Sequence, residues 1–335
     1  MHQLALPLLV ALVAMALAFD FLNGLHDAAN SIATVVSTQL LSPVMAVAFA
    51  AVGNFLAYWI VGLHVAETVG SGIIDKEVVT PAVVFGALAG AMTWNVLTWI
   101  KGLPSSSSHA LIGGLLGAGI AHSGFPAVES AGTSKTMIAI VLSPMIGFAI
   151  AMLLMLLTSV LFQRTAPARA NRSFKGLHLV SAAAQSISHG GNDAQKTMGV
   201  IAVLLYSTGH LGGKFHVPEW VVLSCYAAMS LGTLSGGWRI IRTMGTRLTR
   251  LNHHSGFCAS SASSIVLFGA SALGVPVSTT HAITGSVVGT GAARRSSAVR
   301  WSVAARVVVA WFVTIPASGA VAAAVYFLTT LFRLS

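Results

Sequence analysis

The chain has 335 residues, of which 55% are hydrophobic and only 8% charged, with a mean hydropathy of +0.82. A water-soluble domain carries about 25% charged residues, so this composition excludes one and points to a protein built for a bilayer. The formal net charge of +10 does not indicate a nucleic-acid binder, because the basic residues gather in short loops between apolar stretches, where Lys and Arg mark the cytoplasmic side.

Leu4 to Phe21 has neither a charged leader nor a small-residue cleavage site and reads as a retained first span. Residues 3–38 are expected to enter from an outer N-terminus, and residues 43–62 to exit to an acidic loop at Glu67 to Glu77. Residues 81–121 form an apolar stretch broken at Gly102-Leu103-Pro104, and residues 137–162 reach the inside again. The segment 163–176 holds Arg164, Arg169, Arg172 and Lys175 and reads as a basic cytoplasmic linker. Residues 177–206 then exit, 218–236 return, and 238–254 form a loop with Arg239, Arg242, Arg247 and Arg250. Residues 255–292 break at Gly274-Val275-Pro276 and end at the basic loop of Arg294, Arg295 and Arg300. That stretch starts and ends inside, so it is either a hairpin dipping in and back or two complete spans. A last span over 302–331 leaves the C-terminus outside. Cys225 and Cys258 lie in apolar surroundings and carry no disulfide signal.

Two motifs occur twice in the same order. Asn23-Gly24-Leu25-His26-Asp27-Ala28-Ala29-Asn30 returns as His189-Gly190-Gly191-Asn192-Asp193-Ala194-Gln195-Lys196, with the aspartates 166 residues apart. Pro104 to Gly113, with Ser105, Ser106, Ser107, Ser108 and His109, returns as Pro276 to Gly285, with Ser278, Thr279, Thr280 and His281, offset by 172. The chain therefore divides into repeats over 1–162 and 177–335 around the linker 163–176. Each repeat has an odd number of crossings if its broken stretch counts as an even number, so the two face opposite ways. The expected fold is an all-α polytopic membrane protein of two inverted-topology repeats.

The repeated residues have a chemistry in common. An ionised Asp inside a bilayer costs roughly 2.5–3.5 kcal/mol on insertion scales unless it is paired or holds a cation. Asp27 shares a helical face with Asn23, Asn30, Ser31 and Thr34, and the equivalents around Asp193 are His189, Asn192, Lys196 and Thr197. Asp27 and Asp193 are the candidate metal or cation ligands. A Gly/Pro break followed by hydroxyl residues is a helix start, whose free N–H groups and dipole suit an anion. Ser105–Ser108 and Ser278–Thr280 are thus two candidate clamps for one tetrahedral anion. His109 and His281 read as carbonyl partners; His26 and His189, nearer the carboxylates, are the better proton carriers.

On these residues the chain resembles the inorganic phosphate transporter family of the Pit/PiT type. The likeness covers almost the whole chain and includes Ser235-Gly236-Gly237-Trp238-Arg239. The resemblance implies a phosphate symporter in the plasma (inner) membrane, with both termini outside and two re-entrant helical hairpins. It assigns phosphate to the hairpin Ser and Thr residues and to Gln195, and the coupling-cation region to Asp27, Asn30, Asn192 and Asp193. A homodimer is implied by the likeness alone. Asn23 and His26 join the cation region, and Lys196 can neutralise Asp193 or meet phosphate. His26 stands where the second motif has Asn192, and Lys196 where the first has Asn30. Both departures favour proton over sodium coupling, and a divalent metal–phosphate complex stays open as the carried species. No resident cofactor is expected. The competing readings are a sulfate-type oxyanion permease, a passive anion channel and an intramembrane hydrolase. Adjacent Ser108 and His109 point ~100° apart on a helix, a poor nucleophile–base pair.

Overall fold

The computed structural model describes residues 6–331, so the start of the first expected span and both chain ends lie outside the described residues. Among the described residues the structure is helical apart from one isolated bridge between Ile74 and Val128. The first half runs α1 (Leu6–Ser37), α2 (Pro43–Ile60), α3 (His64–Gly72), α4 (Pro81–Lys101), α5 (Ser107–Ser123) and α6 (Ser130–Leu161). The second half repeats that succession as α7 (Pro167–Ser207), α8 (Glu219–Ser235), α9 (Trp238–Arg242), α10 (His253–Ala272), α11 (Thr279–Arg294) and α12 (Trp301–Leu331). Six of these helices, α1, α2, α4, α6, α10 and α12, are long and apolar enough to cross a bilayer. Their outer faces carry exposed Val52, Leu56, Leu153, Leu157, Val309 and Phe312, the surface that lipid chains cover. Trp59, Trp220, Trp238 and Trp301 are exposed at helix ends, the level of the bilayer interface.

The two halves interlock. α5 packs on α12 as well as on its neighbour α4, and α11 packs on α6 as well as on α10; α1 lies along α8, and α2 along α7. Apolar side chains alone give little drive for helix association in lipid, so close contact comes from small residues. Gly113 and Gly117 of α5 meet Ile315 and Gly319 of α12, and the matched Gly285 and Gly289 of α11 meet Pro144 and Phe148 of α6. Gly24 lets α1 press on Met229 of α8, while Gly190 lets α7 press on Asn54 of α2. The motif glycines thus bring the two polar motifs to the middle of the molecule.

Two expectations from composition need correction. The basic segment 163–176, expected as a loop, is largely helical: the chain turns over Phe162–Ala166, and Pro167 begins α7. Pro suits a first helical position, and Arg169, Arg172 and Lys175 continue the helix easily. The basic stretch 238–254 is also mostly folded, as α9 followed by a π-helical turn Thr243–Arg247. Its Ile240, Ile241, Met244 and Leu248 are buried in a cluster with Ile32 and Ala33 of α1, which holds the segment against the bundle.

Candidate functional site

The site starts at the two broken stretches. α4 ends at Gly102, in the left-handed conformation with φ 62°, and Gly274 repeats that conformation with φ 62° after α10. Either turn would strain a residue with a Cβ, so the glycines set where the chain reverses. Each second arm then begins with a capped start: the Ser106 hydroxyl accepts from the His109 N–H at 3.2 Å, and Ser278 accepts from the His281 N–H at 3.2 Å. The two starts meet. Thr280 Oγ1 donates to the Ser105 carbonyl at 3.2 Å, and the His109 and His281 rings stand edge to face with centroids 4.4 Å apart.

Ser107, Ser108, Thr279 and Thr280, in the first turns of α5 and α11, are buried and face the motifs of α1 and α7. On the α1 side, Ser107 Oγ lies 2.6 Å from Asp27 Oδ2 and 2.5 Å from Asn23 Oδ1. His26 Nδ1 is 2.7 Å from Asp27 Oδ1, and its Nε2 is 3.1 Å from Thr98 Oγ1 and 3.4 Å from Ser105 Oγ. Asn30 Nδ2 donates to Thr279 at 3.1 Å and to Thr280 at 2.9 Å.

On the α7 side, the Lys196 ammonium donates to Ser108 Oγ at 2.6 Å, to the Val277 carbonyl at 2.6 Å and to Asp193 Oδ1. All three of its donors are satisfied. Thr279 donates to Asp193 Oδ2 at 2.8 Å, the counterpart of Ser107 on Asp27. His189 Nδ1 lies 3.1 Å from Asn54 Oδ1, and its Nε2 lies 3.3 Å from Asp193 Oδ2, close enough for charge pairing though not aligned as a hydrogen bond.

Most of the expected site residues therefore gather in one buried cluster: Asn23, His26, Asp27, Asn30, Ser105, Ser107, Ser108, Asp193, Lys196, Thr279 and Thr280. Ser106 and Ser278 belong to it as caps, their hydroxyls spent on backbone N–H groups. Gln195 does not face it. Its Oε1 accepts from the Val65 and Ala66 N–H groups at 3.0 and 3.2 Å, and its Nε2 donates to the Gly191 carbonyl. Being one residue from Lys196 on a helix turns it ~100° away, toward the start of α3, whose N–H groups need an acceptor. Asn192 is turned to the second break, donating to Ser271 at 3.1 Å, with its Oδ1 unpartnered.

Two carboxylates face one ammonium, so with neutral imidazoles the cluster is anionic and favours a bound cation. Donor atoms of Asp27, His189 and Asp193 lie within 4.8 Å of one another, a set that fits an ion and adds His189 to the two expected carboxylates. Asn30 Oδ1 is a further buried oxygen with no hydrogen-bond partner. Thr98 and Asn54, which fix the two imidazoles, lie outside both repeated motifs: Asn54 is a lone amide in the apolar α2, and Thr98 is one of several polar residues near the end of α4. Asp20, fully buried on α1, is a carboxylate that the sequence reading passed over, although its helical spacing from Asn23 and Asp27 is the signal that points to it.

A model of the phosphate transporter family matches the chain twice, over residues 23–170 and 162–322. A relative in Rhizobium meliloti (strain 1021), named "Probable low-affinity inorganic phosphate transporter", is 60% identical over 97% of both chains. One of the same name in Bacillus subtilis (strain 168) is 41% identical over 97% of this chain and 98% of its own. A solved structure named "The sodium-dependent phosphate transporter" superposes with a TM-score of 0.88 and 25% identity, over 97% of this chain and 100% of that one.

Proposed function

The chain belongs to the phosphate transporter family, and we propose that it is a secondary active symporter importing inorganic phosphate across the plasma membrane on a cation gradient. The observation that carries this reading is the meeting of two hydroxyl-bearing helix starts with Lys196 beside two carboxylates. Helix starts, hydroxyls and an ammonium recognise a tetrahedral oxyanion; the carboxylates hold the cation that travels with it. Phosphate binds by exchanging the internal bonds of Ser107, Ser108, Thr279, Thr280 and Lys196 for bonds to its oxygens. Inverted repeats supply the alternation, with α4–α5 and α10–α11 as re-entrant hairpins whose tips close the site from opposite sides. The basic residues Arg294, Arg295 and Arg300 support a cytoplasmic position for that end.

The proton is the favoured coupling ion. Lys196 already occupies Asp193, which leaves fewer oxygens for a second metal ion than an asparagine there would. His26 against Asp27 offers a route for a proton. Sodium coupling is the second reading, supported by the sodium dependence in the name of the structural neighbour and by the clustered Asp27, His189 and Asp193 donors. Uptake of labelled phosphate into proteoliposomes under separate proton and sodium gradients tests both. Accumulation under a proton gradient alone is expected. Uptake indifferent to both gradients would make the protein a passive channel, and competition by sulfate without competition by arsenate would remove phosphate as the cargo. Loss of uptake on chelating divalent metals would identify a metal–phosphate complex as the carried species.

A further inference from the structure

Asp20 stands outside this machinery. It lies on α1 two turns before Asp27, has no accessible surface, and meets α7 and α8 instead of the hairpin tips. Its Oδ1 accepts from Thr197 Oγ1 at 3.0 Å, and its Oδ2 has no hydrogen-bond partner. The ion pairs among the described residues end on Asp27 and Asp193, none on Asp20. Its neighbours are uncharged apart from Asp193: Asn23 lies one turn along on α1, and buried Cys225 and Tyr226 stand on α8, with the Tyr226 hydroxyl itself unpartnered. The titratable groups acting on Asp20 from packed helices are Asp193 on α7 and Cys225 and Tyr226 on α8, none of them a cation. Lys196 is committed to Asp193 and the hairpins, and Arg239 of α9 to the Ile100 carbonyl. The repeat offset of 166 puts Ser186 at the matching place in α7, so Asp20 is not part of the duplicated site.

We propose that Asp20 is a proton-binding site of the transport cycle, separate from the phosphate and cation cluster and required for α1 to close on α7 and α8. The inference rests on the proton-coupled reading above. A fully buried carboxylate with an unpartnered oxygen demands water or a counter-charge, and no cation among the described residues pairs with it. Taking one proton converts the carboxylate to the neutral acid, whose remaining oxygen still accepts from Thr197 and whose O–H needs only a local acceptor. The helices then pack as they do here. When the opposite face opens and water reaches Asp20, the proton leaves to that side and the carboxylate is hydrated. Asp20 thereby makes closure conditional on a proton, while Thr197, one turn beyond Asp193 on α7, ties that closure to the substrate cluster.

Asp20→Asn imitates the protonated form permanently and is the test. In proteoliposomes the variant should lose accumulation of labelled phosphate driven by an imposed proton gradient by at least tenfold. Phosphate–phosphate exchange, which moves no net proton, should persist. Infrared difference spectra of the wild type at neutral pH should contain the carbonyl stretch of a protonated carboxyl that Asp20→Asn lacks and Asp20→Glu restores at a shifted frequency. Gradient-driven accumulation by Asp20→Asn equal to wild type would overturn the assignment. So would an unchanged infrared band, which decides the matter even where the variant transports nothing. A wild type that ignores the proton gradient would overturn the symport reading itself, an outcome distinct from the failure of Asp20 alone.

Discussion

Lys196 on α7 donates to Ser108 on α5 at 2.6 Å, and its matched residue Asn30 on α1 donates to Thr280 on α11 at 2.9 Å, so each half clasps the hairpin of the other. The hydroxyls one residue earlier donate within their own half, Ser107 to Asp27 and Thr279 to Asp193. Alternating own-half and cross-half bonds make the centre one unit, which moves only if both pairs exchange partners. The asymmetry lies in charge, for Lys196 brings an ammonium where Asn30 brings an amide.

That charge predicts a thermodynamic cycle. Lys196→Met leaves Asp193 buried without its cation, and Asp193→Asn leaves the ammonium without its anion. Breaking a buried pair from one side costs ~3–5 kcal/mol, whereas removing both partners is often near neutral. Each single variant should therefore melt well below the wild type in detergent, and Asp193→Asn with Lys196→Met should recover much of the loss. Transport should not recover, because the double variant lacks both the anion donor and the cation ligand. A double variant melting no higher than the worse single would mean that the two side chains do not interact. Asp27→Asn should likewise nearly abolish uptake; half the wild-type rate would make its carboxylate dispensable.

The hydroxyl residues at the two hairpin starts should separate by role. Ser107→Ala with Ser108→Ala, or Thr279→Ala with Thr280→Ala, should raise the KM for phosphate about tenfold or more by removing donors to the oxyanion. Ser106→Ala and Ser278→Ala each remove a helix cap worth ~1 kcal/mol and should lower the melting temperature with a smaller change in KM. Uptake kinetics and thermal melts on the same preparations check both halves of this statement.

Gln195 gives a contrasting case. Its amide holds the first turn of α3 through Val65 and Ala66, so Gln195→Ala should loosen α3 and leave phosphate affinity within about threefold of wild type. Hydrogen exchange at residues 64–70 should quicken. A large rise in KM without faster exchange in α3 would return Gln195 to the phosphate site.

How far the sequence could be read follows from what kind of signal each residue carries. The helix breaks were legible because Gly102, Pro104, Gly274 and Pro276 act locally: a positive φ and a missing donor break a helix wherever they occur. The aspartates were legible because a carboxylate in an apolar span demands an explanation. Gln195 faces α3 because neighbouring positions on a helix point different ways, and only packing decides which neighbour its side chain meets. The cross-half contacts α5–α12 and α6–α11 left no trace beyond small residues, since a Gly-xxx-Gly spacing names a contact face but not its partner. The basic segments misled because arginine frequency reports the side of the membrane, not whether the backbone is helical.

The same substitution at two places on α7 should act in opposite directions. A Cβ at Gly176 would meet nothing within 4 Å, whereas one at Gly190 would lie 2.6 Å from both the Cα and the carbonyl oxygen of Asn54. Alanine is favoured over glycine in a helix interior by ~1 kcal/mol, and at Gly176 nothing opposes that gain. At Gly190 the backbone of α2 must retreat, and with it the Asn54 amide that orients His189 beside Asp193. Gly176→Ala should melt at or above the wild-type temperature with unchanged uptake. Gly190→Ala should melt several degrees lower and lose most of its transport. Equal melting temperatures for the two variants would mean that α2 and α7 are not in close contact at the motif, which would remove the packing that brings His189 and Asp193 to the centre.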